Sequence, residues 1–155
     1  YEVHGVEQEF LEGVVDEDDR RPCIRKSARQ SGGSTLLCAM AWYYHLTGNN
    51  IAFVTRNHGM VHHVITTFET VQVLGYNFAK DKPKNEIYLQ TKDGTGRAPI
   101  SIKVRSGSDR GGFENLFRAG AFDYLFFDTT SKDFANYLAI AQASVTQKVI
   151  VNDSP

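Results

Sequence analysis

The sequence predicts an α/β sandwich, with helices packed on a mostly parallel central sheet that carries an added β-hairpin. Short, continuous apolar runs such as "NIAFVT" (50–55) and "FDYLFFD" (122–128) have the length and uniform apolarity of strands buried on both faces, as parallel strands are. These runs alternate with longer stretches whose apolar residues recur at helical spacing, the order that builds a parallel sheet. The 155 residues, 41% of them hydrophobic, suffice to fill one mixed core, so 1–155 is expected to form one domain.

The elements follow in order. Val6, Phe10, Leu11 and Val14 share one face of an opening helix, and the acidic run "DEDD" (16–19) before Arg20 and Arg21 reads as a solvated connector. "PCIRKSA" (22–28) is short and extended, and "STLLCAMAWYYHLTG" (34–48) is a helix stopped at Gly48. After the strand at 50–55, the spacing of "HGMVHHVITTFETVQVLG" (58–75) predicts a helix along its whole length. "NEIYLQTKDGTGRAPISIKVRS" (85–106) sets two alternating runs around a Gly-rich turn, a hairpin at the side of the sheet. The strand at 122–128, a helix over "KDFANYLAIAQASV" (132–145) and a last strand "KVIVND" (148–153) complete the chain.

Composition excludes several classes. A net charge of -1 lacks the overall basic character of many nucleic-acid binders, so DNA contact would come from a local patch or an assembled ring. Two cysteines imply no disulfide framework and favour a reducing, intracellular setting. No apolar run approaches the roughly 18 to 20 residues that span a bilayer, and "YEVHGVEQEF" is no signal peptide, so a soluble protein without membrane contact is expected. His58 and His62 stand four apart on one helix face, a metal-binding spacing, but no Glu lies between them and no third ligand is apparent. Trp42 and Leu46 recur at core spacing. Lys80, Lys82 and Lys84 read as a solvated loop, with contact to a DNA backbone as the alternative.

Chemistry enters at "RKSARQSGGSTLL" (25–37). Aligning the phosphate-loop (Walker A) pattern G-x-x-x-x-G-K-[ST] on Gly32 puts Ser27 at the first glycine, Gly33 at the lysine and Ser34 at the metal-linked hydroxyl. Backbone amides opening a helix point toward an anion, and glycines let that backbone come close, so 26–35 (Lys26, Ser27, Ala28, Arg29, Gln30, Ser31, Gly32, Gly33, Ser34 and Thr35) is the candidate nucleotide loop. Arg25, Lys26 and Arg29 are placed to supply the charge that Gly33 lacks, and Ser34 or Thr35 a hydroxyl for Mg²⁺. A Gly-Gly-Ser turn opening an ordinary helix explains the loop alone equally well. Asp128, closing an apolar strand as a Walker B acid does, shifts the balance, since that is where a phosphate-loop protein holds Mg²⁺; by itself it reads equally as a helix cap.

Together these residues resemble the ATPase domain of viral large terminases, the motors that pump DNA into preformed capsids, and the resemblance covers nearly the whole chain. "ARQSGGSTLL" (28–37) is similar to the family's variant loop through Arg29, Gln30, Gly32, Ser34 and Thr35. "HGVEQEFLEGV" (4–14) is similar to its adenine-recognition segment, with Gln8 at the glutamine; "GSDRGGFENLFRAGAFDYLFFD" (107–128) resembles the stretch in which Arg110 and Gly111 precede the acidic strand. "KVIVNDSP" resembles the coupling strand through Asp153, Ser154 and Pro155.

The resemblance implies a P-loop NTPase-like fold in a bacteriophage or other viral protein that binds ATP and Mg²⁺ and drives DNA packaging. Arg29 would contact phosphate, Ser34 and Asp128 would hold the metal, Gln8 would read adenine, and Arg110 would act as a coupling or finger arginine. Implied partners are double-stranded DNA, the portal, the small terminase subunit and further copies in a ring. The implied place is the host cytoplasm, docked on the procapsid. Two departures bear on activity. Thr129 stands where the family's water-activating Glu follows the Asp, and Thr is no base near neutral pH; Asp133, a helix turn away, is the candidate substitute. Family members also continue into a nuclease domain, and none follows Pro155, so a fragment, a split gene product or a chain working without that activity is expected. A catalytically silent, structural or regulatory module of the packaging assembly is the alternative, and a helicase-like ATPase a third, which would need a second domain.

Overall fold

Strands form where the apolar runs predict them, and one more forms without such a run. The computed structural model describes residues 5–16, 22–26, 33–107, 116, 121–128 and 134–153. In chain order these form α1 (Gly5–Val15), β1 (Cys23–Lys26), α2 (Gly33–Leu46), β2 (Ile51–Thr55), α3 (His58–Thr70), β3 (Tyr76–Asp81), a 3-10 turn (Lys82–Lys84), β4 (Glu86–Thr91), β5 (Ile102–Ser106), β6 (Phe122–Phe127), α4 (Phe134–Ser144) and β7 (Val145–Asp153). The seven strands make one sheet in the order β1-β7-β6-β2-β5-β4-β3. From β1 to β5 every neighbouring pair is parallel, while β4 and β3 add on antiparallel. The mostly parallel α/β sheet is thus the one the sequence predicts.

Alternate residues of each central strand feed two cores. Ile51 and Phe53 join Phe126, Ile150 and Val104 beneath α2 and α3, where Leu37, Trp42, Val64 and Phe68 close the layer. Ala52 and Val54 turn the other way, to Leu125, Phe127, Val149, Val151 and the α4 residues Leu138 and Ala141. Trp42 is the largest fully buried side chain; its Nε1–H donates to the Phe68 carbonyl at 3.1 Å, which satisfies the polar atom that an indole brings into a core. Cys23 and Cys38 are both buried. No described helix is long and apolar enough to cross a membrane.

Two polar contacts fix the outer elements. The ammonium of Lys148, a buried residue of β7, donates to the Gly13 and Asp16 carbonyls at the C-terminal end of α1, where a helix leaves carbonyls unpaired and a cation is favoured. Asp123 accepts from the Asn50 amide at 2.9 Å and from the Thr146 hydroxyl at 2.6 Å, joining the entries of β2, β6 and β7.

The structure corrects two expectations. The helix predicted over 58–75 stops at Thr70, where Val71 turns to an extended conformation and its N–H caps the Thr67 and Phe68 carbonyls. Val71 and Val73 continue the helical spacing yet pack against the core from a loop, and Gly75, at φ +88°, opens the turn into β3. The expected hairpin is also more than a side insertion. Its second run, β5, pairs parallel with β2 inside the central sheet, and its first run, β4, pairs along its length with β3, a strand that the apolar pattern does not announce.

Candidate functional site

Strand parity creates the site. On the face beneath α2 and α3, the residues two steps beyond Phe126, Ile150, Phe53 and Val104 are Asp128, Asn152, Thr55 and Ser106. Four neighbouring strands therefore end in a polar row where their interiors are apolar. Asn152, Thr55 and Ser106 are only 3%, 1% and 6% exposed, so this row is built into the protein rather than left in solvent. It lies along the carboxyl ends of the parallel strands, the edge at which open α/β sheets bind ligands.

The centre of the row is Asp128. Its backbone N–H continues the β2 pairing by donating to the Val54 carbonyl at 2.9 Å, which fixes where the side chain emerges. The Ser34 hydroxyl, in the first turn of α2, stands 2.9 and 2.8 Å from the two carboxylate oxygens and donates to them. Asn152 donates its amide to Oδ1 at 3.2 Å. Because β7 lies between β1 and β6, the end of β6 and the start of α2 meet over the end of β7, and Asn152 holds the junction from below. Thr35, the other candidate hydroxyl, is exposed.

Burial raises the Asp128 pKa above the ordinary carboxylate value; hydrogen bonds from Ser34 and Asn152 and the nearby His63 imidazole oppose that rise. Cys38, one turn along α2 from Ser34, has its pKa pushed up by burial first and by the Asp128 charge second, so it stays a thiol and offers no nucleophile.

The donor set suits a small hard cation. Two oxygens occupying adjacent corners of an octahedron with ligand distances of about 2.0–2.1 Å lie about 2.9 Å apart, close to the spacing found between Ser34 Oγ and the Asp128 oxygens. The first amides of α2 have no partners within the helix and carry the positive end of its dipole, so an anion brought to such a cation would meet donors.

The remaining predicted residues divide by placement. Gly33 opens α2. Lys26 ends β1 in register with Asp153, and Gln8 lies in α1; the side chains of Lys26 and Gln8 fall outside what the structure describes. Ser27, Ala28, Arg29, Gln30, Ser31 and Gly32 lie wholly outside the described residues, as do Arg110, Thr129, Asp133, Ser154 and Pro155. Among the described residues no group of three or more His, Cys, Asp or Glu gathers into a metal cluster, His58, His62 and His63 included. The sequence reading missed Asn152.

With this geometry established, known structures are informative. The large terminase from a thermophilic bacteriophage superposes with a TM-score of 0.69 at 15% identity, over 96% of this chain and 39% of that one. The fold is that of phage large terminases. The HK97 bacteriophage large terminase matches with a TM-score of 0.66 at 14% identity, over 99% of this chain and 33% of that one. The Phi-28 gp11 DNA packaging motor matches at 0.53 and 10% identity, over 95% of this chain and 48% of that one. The terminase of the thermophilic phage has been solved with ATP-gamma-S and with ADP. This chain thus spans between a third and a half of the length of the proteins it resembles. No family model matches the sequence, and no curated protein matches it.

Proposed function

We propose that this chain binds Mg-ATP at the carboxyl edge of its sheet and forms the ATP-driven motor portion of a phage DNA-packaging terminase. The observation that carries this reading is the junction of Ser34, Asp128 and Asn152 at the start of α2. Ser34 and Asp128 would hold Mg²⁺, and Asn152 would keep the carboxylate aimed. The metal would neutralise charge on the transferred phosphoryl group. Arg29 and Lys26 supply phosphate contacts in place of the lysine that Gly33 displaces, Gln8 reads adenine, and Arg110 couples or completes the site. The nucleotide complexes of the thermophilic-phage terminase favour the same assignment. Double-stranded DNA, a portal, a small terminase subunit and a ring of copies are the partners this role requires, on a procapsid in the host cytoplasm.

Changing Arg29 and Lys26 together to Ala is expected to lower Mg-ATP affinity by about tenfold or more; a change below about twofold would remove both from the phosphate site. A second reading, a silent module that keeps the fold and serves the packaging assembly, is favoured by Gly33 and Thr129. Thr129→Glu separates the two. A competent site lacking only its base gains ATP turnover, whereas a silent module gains none.

A further inference from the structure

We infer that Arg56, in the bend that joins β2 to α3, contacts the terminal phosphate of bound ATP and supplies positive charge that Gly33 denies the loop. The inference rests on the reading of this edge as a Mg-ATP site. Strand order is the first ground. β6 lies between β7 and β2, while β1, which leads into the loop, stands two strands from β6. The β2–β6 register sets Val54 beside Phe127, and the Asp128 N–H donates to the Val54 carbonyl at 2.9 Å. Thr55 is therefore level with Asp128, and Arg56 is the next residue out. One strand spacing and one residue step put its Cα about 6 Å from that of Asp128, a gap that an arginine side chain spans. Lys26, at the end of β1, is two strand spacings from β6, about 10 Å from Asp128 by the same measure.

The second ground is that the bend is held on both sides. The Gly107 N–H donates to the Thr55 carbonyl at 2.7 Å. A Cβ on Gly107 would stand 3.1 Å from Val54 Cγ1 and 3.3 Å from the Thr55 oxygen, so the end of β5 presses on the end of β2. Beyond the bend, Asn57 caps α3 by accepting from the Met60 N–H at 3.1 Å. Arg56 is half-buried between these two fixed points. A guanidinium carried on fixed backbone loses less freedom when it meets an anion.

Third, α3 turns back beside the acid. Val61, Val64, Ile65 and Phe68 hold it to the core, and His63, in its second turn, acts on Asp128 through charge without a hydrogen bond between them. The β2–α3 junction thus borders Asp128 on the side away from β7.

Charge and order together select the phosphate. Among the described cations at this edge, Arg105 is engaged by the Lys84 and Asn85 carbonyls at 2.9 and 3.4 Å. That leaves Arg56 as the described cation set nearest to Asp128. A metal at Ser34 and Asp128 bridges the last two phosphates of a nucleoside triphosphate. The loop enters from the β1 side of that metal, so a cation on the β2 side faces the far end of the chain, where the planar fork of arginine matches phosphate oxygens. ADP lacks that group.

The test is calorimetric titration of ATP-gamma-S and of ADP, each with Mg²⁺, into the native chain, Arg56→Gln and Arg56→Lys. Gln keeps length and polarity, and unfolding curves verify that both variants fold. In Arg56→Gln the affinity for ATP-gamma-S is expected to fall about 10- to 100-fold while that for ADP stays within about twofold. Arg56→Lys, which keeps the charge without the fork, is expected to recover part of the loss. Equal losses for the two nucleotides would assign Arg56 to the fold of the bend and overturn the proposal, and so would unchanged affinity for ATP-gamma-S. In both of those cases the native chain still binds, and the Mg-ATP reading stands. A native chain that binds neither nucleotide overturns that reading and this proposal with it.

Discussion

At the residue scale, Asp128 carries opposing demands. Burial raises its pKa, so the charged form is disfavoured in the folded protein. A raised carboxyl stabilises the fold below its unfolded pKa, and that contribution is lost as pH rises through the folded value. Asp128→Asn removes the charge while keeping an oxygen for the Ser34 hydroxyl, so it is expected to keep or raise the melting temperature near neutral pH. A lower melting temperature would show that the carboxylate is needed for folding. Asn152 acts through Asp128. Asn152→Ala is expected to weaken Mg²⁺-dependent nucleotide binding about 10- to 100-fold, the usual cost of removing a group that orients a metal ligand; unchanged binding in calorimetry would assign Asn152 to the fold alone.

At the element scale, two side chains lock helices to the sheet. His45, 1% exposed in α2, accepts from the Leu89 N–H at 3.1 Å and so joins α2 to β4. Burial lowers its pKa to about 4, with the Ile100 backbone carbonyl opposing the shift and Arg97 adding to it. A depressed histidine pKa means that the unfolded chain takes up the proton first. Stability is therefore full above the unfolded value of 6.5 and falls as pH drops toward 4, by up to about 3 kcal/mol. Urea unfolding across that window is expected to show the fall in the native chain and a flatter profile in His45→Gln; parallel profiles would exclude His45 as its source. Lys148→Met removes both hydrogen bonds that its ammonium donates to the end of α1 and is expected to cost about 2 kcal/mol, with faster amide exchange in α1 than in the sheet. Uniform exchange would show that α1 is held by Phe10 and Val14 alone.

Across the whole molecule, the parallel sheet was legible because its strands are apolar on both faces, and β2 and β6 announce themselves in that way. The antiparallel flank was less so. In β3 only Tyr76 and Phe78 face the core before Lys80 breaks the pattern, while Val71 and Val73 extend the spacing of α3, so the edge strand was hidden behind a helix that ends early. Asp128 and Ser34 could be found from motif spacing, since each closes or opens an apolar run. Asn152 could not, because it shares no motif with them and is brought to them only by the sheet order, which places β7 between β1 and β6. The measurement that bears most directly on this account is calorimetric titration of ATP into the chain and into Asp128→Asn, each with and without Mg²⁺. Binding tighter than about 100 µM, near -5.5 kcal/mol, that depends on Mg²⁺ and loses that dependence in Asp128→Asn is the predicted result; no binding by the folded native chain, or equal binding by both proteins with or without the metal, would contradict it.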